Sequence, residues 1–232
     1  YYHYFHTKFV DLAMYDDLIR PAMELIACKY EPITETELKT LLGWNNYKLK
    51  AFLGCMGSFI VRKGGGILIP FHLSLLDWIC DEGKAGFQYW VDKENGHQII
   101  ADYLLENDPH SEYSLKYLLR HVAVACKEKF VDLFCDPVFR SSRQEYLGTA
   151  TYFSTSLADI QQFYEAGGNV VHIYGNPDFQ YVIWHNHIYF FDQDYYKILR
   201  QCGFDRYIRT LNFQNLDDRL QCILVCYYYI VY

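Results

Sequence analysis

Ile67-Leu68-Ile69-Pro70-Phe71-His72-Leu73-Ser74-Leu75-Leu76-Asp77-Trp78-Ile79 reads as a short apolar strand that feeds a helix, with one histidine at the junction. The first turn of a helix presents unbonded N–H groups and a partial positive charge, so an anion such as phosphate is its natural ligand, and an imidazole adds a hydrogen bond. A histidine there also serves as a local cap or a surface residue, and position alone leaves both readings open.

Working outward, the preceding segments read as helices. Asp17 to Lys29 is expected to be helical, with Pro21 in its first turn and Leu18, Ala22, Leu25 and Ile26 on one face. Thr34-Glu35-Thr36-Glu37 is a capping box, opening a helix with Leu38, Leu41 and Leu42 that Gly43 stops. Asn45 or Asn46 caps the next helix, whose Leu49, Phe52, Leu53 and Met56 form a single apolar stripe. The period then changes. Ser58 to Arg62 and Ile67 to Pro70 are β-rich runs joined by Lys63-Gly64-Gly65-Gly66, a hairpin, and a further helix is expected from His72 to about Asp81. Three helices followed by a two-stranded wing make a winged helix, a variant of the helix-turn-helix.

The stretches EPITETELKTLLG (31–43), IPFHLSLLDWI (69–79) and FQYWVDKENGHQIIADYLLE (87–106), the last read as a strand, then Gly96-His97, then a helix, resemble the winged-helix segment of the STAND-class, NACHT-type signalling NTPases. The resemblance covers residues 1 to 125, counting a helix at Tyr113 to Ala125 that begins the downstream arm. It implies that His72 faces the diphosphate of bound ADP and helps to hold the protein closed. It also implies that ADP or ATP, with magnesium, belongs to a parent protein and not to this piece. No G-x-x-x-x-G-K-[ST] loop occurs in the 232 residues, and Gly64-Gly65-Gly66 is followed by Ile67, so the nucleotide-hydrolysing core that the resemblance implies is absent from this sequence. The apolar closing run Cys222 to Tyr232 is too short for a membrane span, which needs about 20 apolar residues, and with the aromatic opening it suggests a piece of a longer chain.

Composition narrows the alternatives. Hydrophobic residues make up 51% and aromatics 19%, including 23 Tyr, which points to a globular chain with dense packing and hydroxyls at the rim. Residues 1 to 110 carry 10 Lys+Arg against 15 Asp+Glu, and the remainder 11 against 13. DNA readout needs cations on the third helix and wing, where only Lys48, Lys50, Arg62 and Lys63 are available, so a nucleic-acid partner is disfavoured. Eight cysteines without a C-x-x-C pair do not indicate zinc, even with Cys222 and Cys226 four apart, and reduced thiols in a cytoplasm are the expectation. His3 with His6, and His185 with His187, lack an accompanying carboxylate cluster, so no metal site is assigned. Ser141-Ser142 and Ser154-Thr155-Ser156 read as loop and cap residues, with Ser156-Leu157-Ala158-Asp159 opening a helix that Gly167 closes. Nothing forms a nucleophile elbow or a paired-carboxylate cleft, and no catalytic residue is assigned.

Beyond residue 110, Leu115, Leu118, Leu119 and Val122 make one apolar face and Phe130, Leu133 and Phe134 another, an αα-hairpin whose second helix ends at Asp136-Pro137. Asn169 to Tyr174, Phe179 to Trp184 and His187 to Phe191 suggest a small β-meander, and Asp192 to Gly203 a further helix. The expected fold class is therefore α+β, predominantly α. It comprises a winged-helix-like domain with extra helices at 1–110, then a helical, aromatic-rich accessory or sensor domain at 111–232. The expected function is non-enzymatic regulation, coupling the nucleotide state of the parent's ATPase domain to an unidentified ligand or effector, with oligomerisation of the parent and no membrane partner. The alternative is a winged-helix nucleic-acid-binding or protein-interaction module. Having no phosphate loop, the chain by itself should neither hydrolyse ATP nor bind ATP or ADP tightly. Calorimetric titration that returned a micromolar dissociation constant would contradict this.

Overall fold

Asp11 begins the first long helix. Its Oδ1 accepts from the N–H groups of Ala13 at 3.0 Å and Met14 at 3.3 Å, the N-cap geometry that Asp favours. The structure, a computed structural model, describes residues 1–169 and Arg200. A short helix, α1 (Tyr2–Lys8), comes first; α-helical Leu12–Met14, π-helical Tyr15–Ile19 and α-helical Arg20–Cys28 then run on as one helix, α2. The helix thus starts at Leu12 and not at Asp17, and Pro21 lies inside it. Proline has no N–H to donate and its ring crowds the preceding turn. The wider π turn immediately before Pro21, in which the Arg20 N–H reaches back to Tyr15 O, absorbs that crowding.

A small antiparallel sheet and the helices around it follow. Strand β1 (Ile33–Thr34) leads into α3 (Glu35–Leu42) through a complete capping box: Glu37 N donates to Thr34 Oγ1 at 3.2 Å, and Thr34 N donates to Glu37 Oε2 at 2.7 Å. Gly43 ends α3 in the left-handed region at φ 60, where only glycine sits without strain. Asn45 caps α4 (Asn46–Met56), its Oδ1 accepting from Tyr47 N and Lys48 N at 3.0 and 2.9 Å. Strands β2 (Ile60–Lys63) and β3 (Ile67–Pro70) are joined by the tight turn Gly64–Gly66. They form an antiparallel sheet in the order β1-β3-β2, with Ile33 opposite Leu68 and Val61 opposite Ile69. Leu38, Leu49, Phe52, Met56, Ile60 and Leu68 are buried beneath it, whereas Leu53 is only half-buried.

Helix α5 (Ser74–Ile79) begins two residues after His72, and a single turn, α6 (Glu82–Ala85), follows. The strand expected ahead of Gly96-His97 is instead a turn at residues 87–89, and Gly96-His97 lie inside the helix that follows, not before it. Tyr89 N and Trp90 N donate to Gly86 O, and side chains take the carbonyls that a neighbouring strand would have claimed. Arg20 donates to Gln88 O at 2.9 Å and to Trp90 O, and Tyr15 Oη donates to Tyr89 O at 2.7 Å. Helix α7 (Lys93–Asn107) packs back on α2. A Cβ at Gly96 would lie 2.5 Å from Glu24 O and 2.8 Å from Cys28 Sγ, so the two backbones meet where no side chain fits. At the centre of these elements Phe5 is fully buried against the rings of Phe9, Tyr15, Phe59, Trp78 and Tyr89, at centroid distances of 4.8 to 6.2 Å.

The chain divides into two compact units, Tyr1–Asn107 and Asp108–Tyr232. In the second, α8 (Glu112–Ala125), α9 (Lys127–Cys135), α10 (Pro137–Leu147) and α11 (Thr149–Glu165) follow one another closely. Asp136-Pro137 ends α9 and starts α10, Pro137 standing in the first turn and Asp136 Oδ1 accepting from Phe139 N at 2.6 Å. Leu115, Leu118, Leu119, Val122, Phe130 and Phe134 are buried as their spacing requires, and Leu133 is half-buried. Ser141, Ser142 and the 154–156 run lie within helices, not in loops or caps, and Asp159 is a core residue, not a capping one. Arg143, 2% exposed, donates to Leu115 O at 2.8 Å, to Ser156 Oγ at 3.4 Å and to Asp159 Oδ2 at 2.5 Å, while Arg120 donates to Asp159 Oδ1 at 3.1 Å. This buried charge group ties α8, α10 and α11 together. The described fold is accordingly α+β and predominantly α, with one three-stranded antiparallel sheet. The expected β-meander, the helix at 192–203, His185, His187, Cys202, Cys222 and Cys226 lie outside the described residues. No helix among the described residues is long and apolar enough to cross a membrane.

Gly96→Ala should destabilise the chain by about 1–3 kcal/mol, the scale of overpacking, despite the gain in helix propensity of about 1 kcal/mol. Gly54→Ala, in α4 with nothing within 4 Å of the added carbon, should stabilise it by about 0.5–1 kcal/mol. Urea unfolding of both variants checks the contrast; a neutral Gly96→Ala would refute the close crossing.

Candidate functional site

The sequence offers the His72 junction either as an anion contact, through free helix N–H groups, or as a cap, and the structure shows those N–H groups already used. Ser74 N donates to His72 Nδ1 at 3.1 Å, Leu75 N to His72 O at 3.1 Å, and Leu76 N and Asp77 N to Leu73 O at 2.8 and 3.1 Å. What remains is the imidazole itself. Because Nδ1 accepts from the Ser74 N–H, the neutral ring carries its proton on Nε2, so its other edge is a donor. His72 is exposed. The ring is also held from behind: Ser74 Oγ lies 2.7 Å from Nδ1 and 2.6 Å from the Tyr1 hydroxyl, and the Tyr1 ring packs against Trp78 and Phe59. His72 therefore serves as a cap and presents one N–H outward.

Its neighbours are as informative. Phe71 is 73% exposed and Leu73 71% exposed, so an oriented donor stands between two large apolar side chains in water. Burying either would gain roughly 1.5–3 kcal/mol. Such a tripeptide is suited to contact with another surface.

The cations available for nucleic acid are partly spent. Lys48 Nζ bonds both Asp17 carboxylate oxygens at 3.1 and 3.0 Å, and Arg62 pairs with Glu35, Nη2 to Oε2 at 2.9 Å. Lys50 and Lys63 are exposed and make no ion pair among the described residues, which leaves two cations where a phosphate backbone needs a row.

At the α2–α7 crossing the sequence singles out Gly96-His97 but not its partners. Glu24, 3% exposed, accepts from Asn95 Nδ2 at 2.5 Å and from Asp92 N at 3.4 Å, and burial raises its pKa against those hydrogen bonds. His97 lies against the Tyr30 ring, its pKa pushed down to about 4 by burial and then by Lys93. Cys28 donates to Lys93 O at 3.1 Å, and burial pushes its thiol up to about 12, away from thiolate chemistry. Among the described residues no group of three His, Cys, Asp or Glu side chains is placed to hold a metal ion. No family model, curated protein or solved structure matches the chain.

His97 generates a pH dependence with a definite sign. Its folded pKa of about 4 lies below the unfolded value of 6.5, so its contribution is complete above pH 6.5 and is lost as pH falls toward 4, up to about 3 kcal/mol. Glu24 acts oppositely, its contribution declining as pH rises through its raised value. Urea unfolding at pH 4.5, 5.5 and 7 should show His97→Gln losing least on acidification; parallel profiles would refute the assignment.

Proposed function

We propose that this chain is the winged-helix and helical-arm part of a STAND-class, NACHT-type signalling NTPase, a non-enzymatic cytoplasmic module. It couples the nucleotide state of an ATPase domain outside this sequence to a sensor or effector. The observation that carries the reading is Phe71-His72-Leu73: an imidazole capped on Nδ1, donating outward through Nε2, between two exposed apolar side chains. In the closed state Phe71 and Leu73 pack on the ATPase domain while His72 donates to a phosphate oxygen of bound ADP. ADP or ATP, with magnesium, is held by that domain. His72 prefers the closed, ADP-bound arrangement, so exchange shifts the population toward the open one by the difference in its contacts. The Arg143–Asp159–Arg120 group supports the role of α8, α10 and α11 as a stiff arm, and the parent oligomerises once open.

Two roles of His72 are separated by His72→Asn, since Asn is itself a good helix-capping residue but reaches less far. In the full-length protein the variant should keep its melting temperature and lose about 1.5–3 kcal/mol of ADP affinity, the scale of a hydrogen bond to a charged group, with trigger-independent signalling. Unchanged ADP affinity by calorimetry would reduce His72 to a cap.

A further inference from the structure

The turn between α3 and α4 encloses an open depression of about 450 Å³ lined by Thr36, Lys39, Thr40, Gly43, Trp44, Asn45 and Asn46. In a chain of net charge −7, no acidic residue lines it. The acids of α3 are engaged elsewhere, Glu35 with Arg62 and Glu37 with Lys29 and Thr34.

The hydrogen-bonding capacity left in the lining is biased toward donors. Asn45 Oδ1 is consumed by Tyr47 N and Lys48 N, which fixes its amide orientation and leaves Nδ2 as its unused end. Asn46 Oδ1 accepts from Lys39 Nζ at 2.9 Å, so the Asn46 Nδ2 is likewise unused and Lys39 keeps two further protons and its charge. Trp44 is 9% exposed, and its indole N–H has no hydrogen-bond partner among the described residues. An indole N–H in a nine-tenths buried residue otherwise finds an acceptor in the protein.

We propose that this depression binds a phosphoryl-type oxyanion, with Lys39 supplying the charge and Trp44 Nε1, Asn45 Nδ2 and Asn46 Nδ2 the directed donors. The site is independent of His72 and of the nucleotide reading. Its selectivity is for oxygen acceptors over chloride, because neutral donors at fixed angles reward a polyatomic anion.

The test is titration of the ¹⁵N-labelled chain with inorganic phosphate, following the Trp44 indole signal assigned through Trp44→Phe, against sodium chloride at matched ionic strength. A saturable shift with a millimolar dissociation constant, weakened about tenfold in Lys39→Ala and Asn46→Asp, is the expected result. Asn46→Asp keeps the fold, since an acid suits the first turn of α4, while it places a like charge at the site. No saturable shift, an equal shift with chloride, or an unweakened shift in Asn46→Asp would overturn the proposal. So would a short DNA duplex that moved Trp44, Lys50 and Lys63 together while phosphate moved none, which would make the turn part of a nucleic-acid interface.

Discussion

Two helix backbones approach as closely as α2 and α7 do only if one carries no side chain at the contact, and Gly96 meets that condition against Glu24 O and Cys28 Sγ. Much of the first unit follows from it. The crossing buries Glu24 at the start of α7, where Asp92 N and Asn95 Nδ2 satisfy its carboxylate, and it buries His97 in its neutral form. It also brings the segment before α7 under Arg20 and Tyr15, which take the carbonyls of residues 88 to 90. A strand there would need a paired neighbour. A turn needs only those donors, and α2 provides them because its π turn carries Tyr15 and leads directly into Arg20.

The high aromatic content is concentrated around one ring. Phe5 holds α1 against α2, the entry to β2, α5 and the 87–92 turn at once, through Tyr15, Phe59, Trp78 and Tyr89. Aromatic edges and faces pack at angles, so one cluster can join elements that run in different directions. The consequence reaches the His72 corner. Tyr1 packs on Phe59 and Trp78 in the same cluster and its hydroxyl meets Ser74 Oγ, so the hydroxyl against His72 is positioned by the core.

What the sequence made legible was local. The Thr34–Glu37 box, the Gly43 stop, the Asn45 cap and the glycine-rich hairpin each depend on neighbours within a few residues, and each is present. The rest depends on distant partners. Strand β1 has two residues, too few to show a period, and exists because β3 pairs with it. Phe87–Val91 has strand composition, but Arg20 and Tyr15 decide its conformation from some 70 positions away. Ser156 and Asp159 imitate a capping box at the right spacing, yet they lie mid-helix because Arg143 claims both. His72 was visible as a junction residue; that its Nδ1 would be used on Ser74 N was not, since the start of α5 at Ser74 sets that geometry.

Electrostatics then separates the surfaces of the first unit. Arg62 and Lys48 sit where a DNA-reading domain would hold free cations, but Glu35 and Asp17 neutralise them, so that face has little long-range pull on a polyanion. The same pairing has a second effect one turn along α3. By drawing Glu35 toward the wing, Arg62 removes the carboxylate that lies four residues before Lys39, where it would otherwise compete for that ammonium group. Lys39 is left with the Asn46 amide, a neutral partner that does not cancel its charge. One acidic domain can thus carry a neutralised wing and a local donor-rich depression, because which carboxylate each cation meets matters more than the net charge.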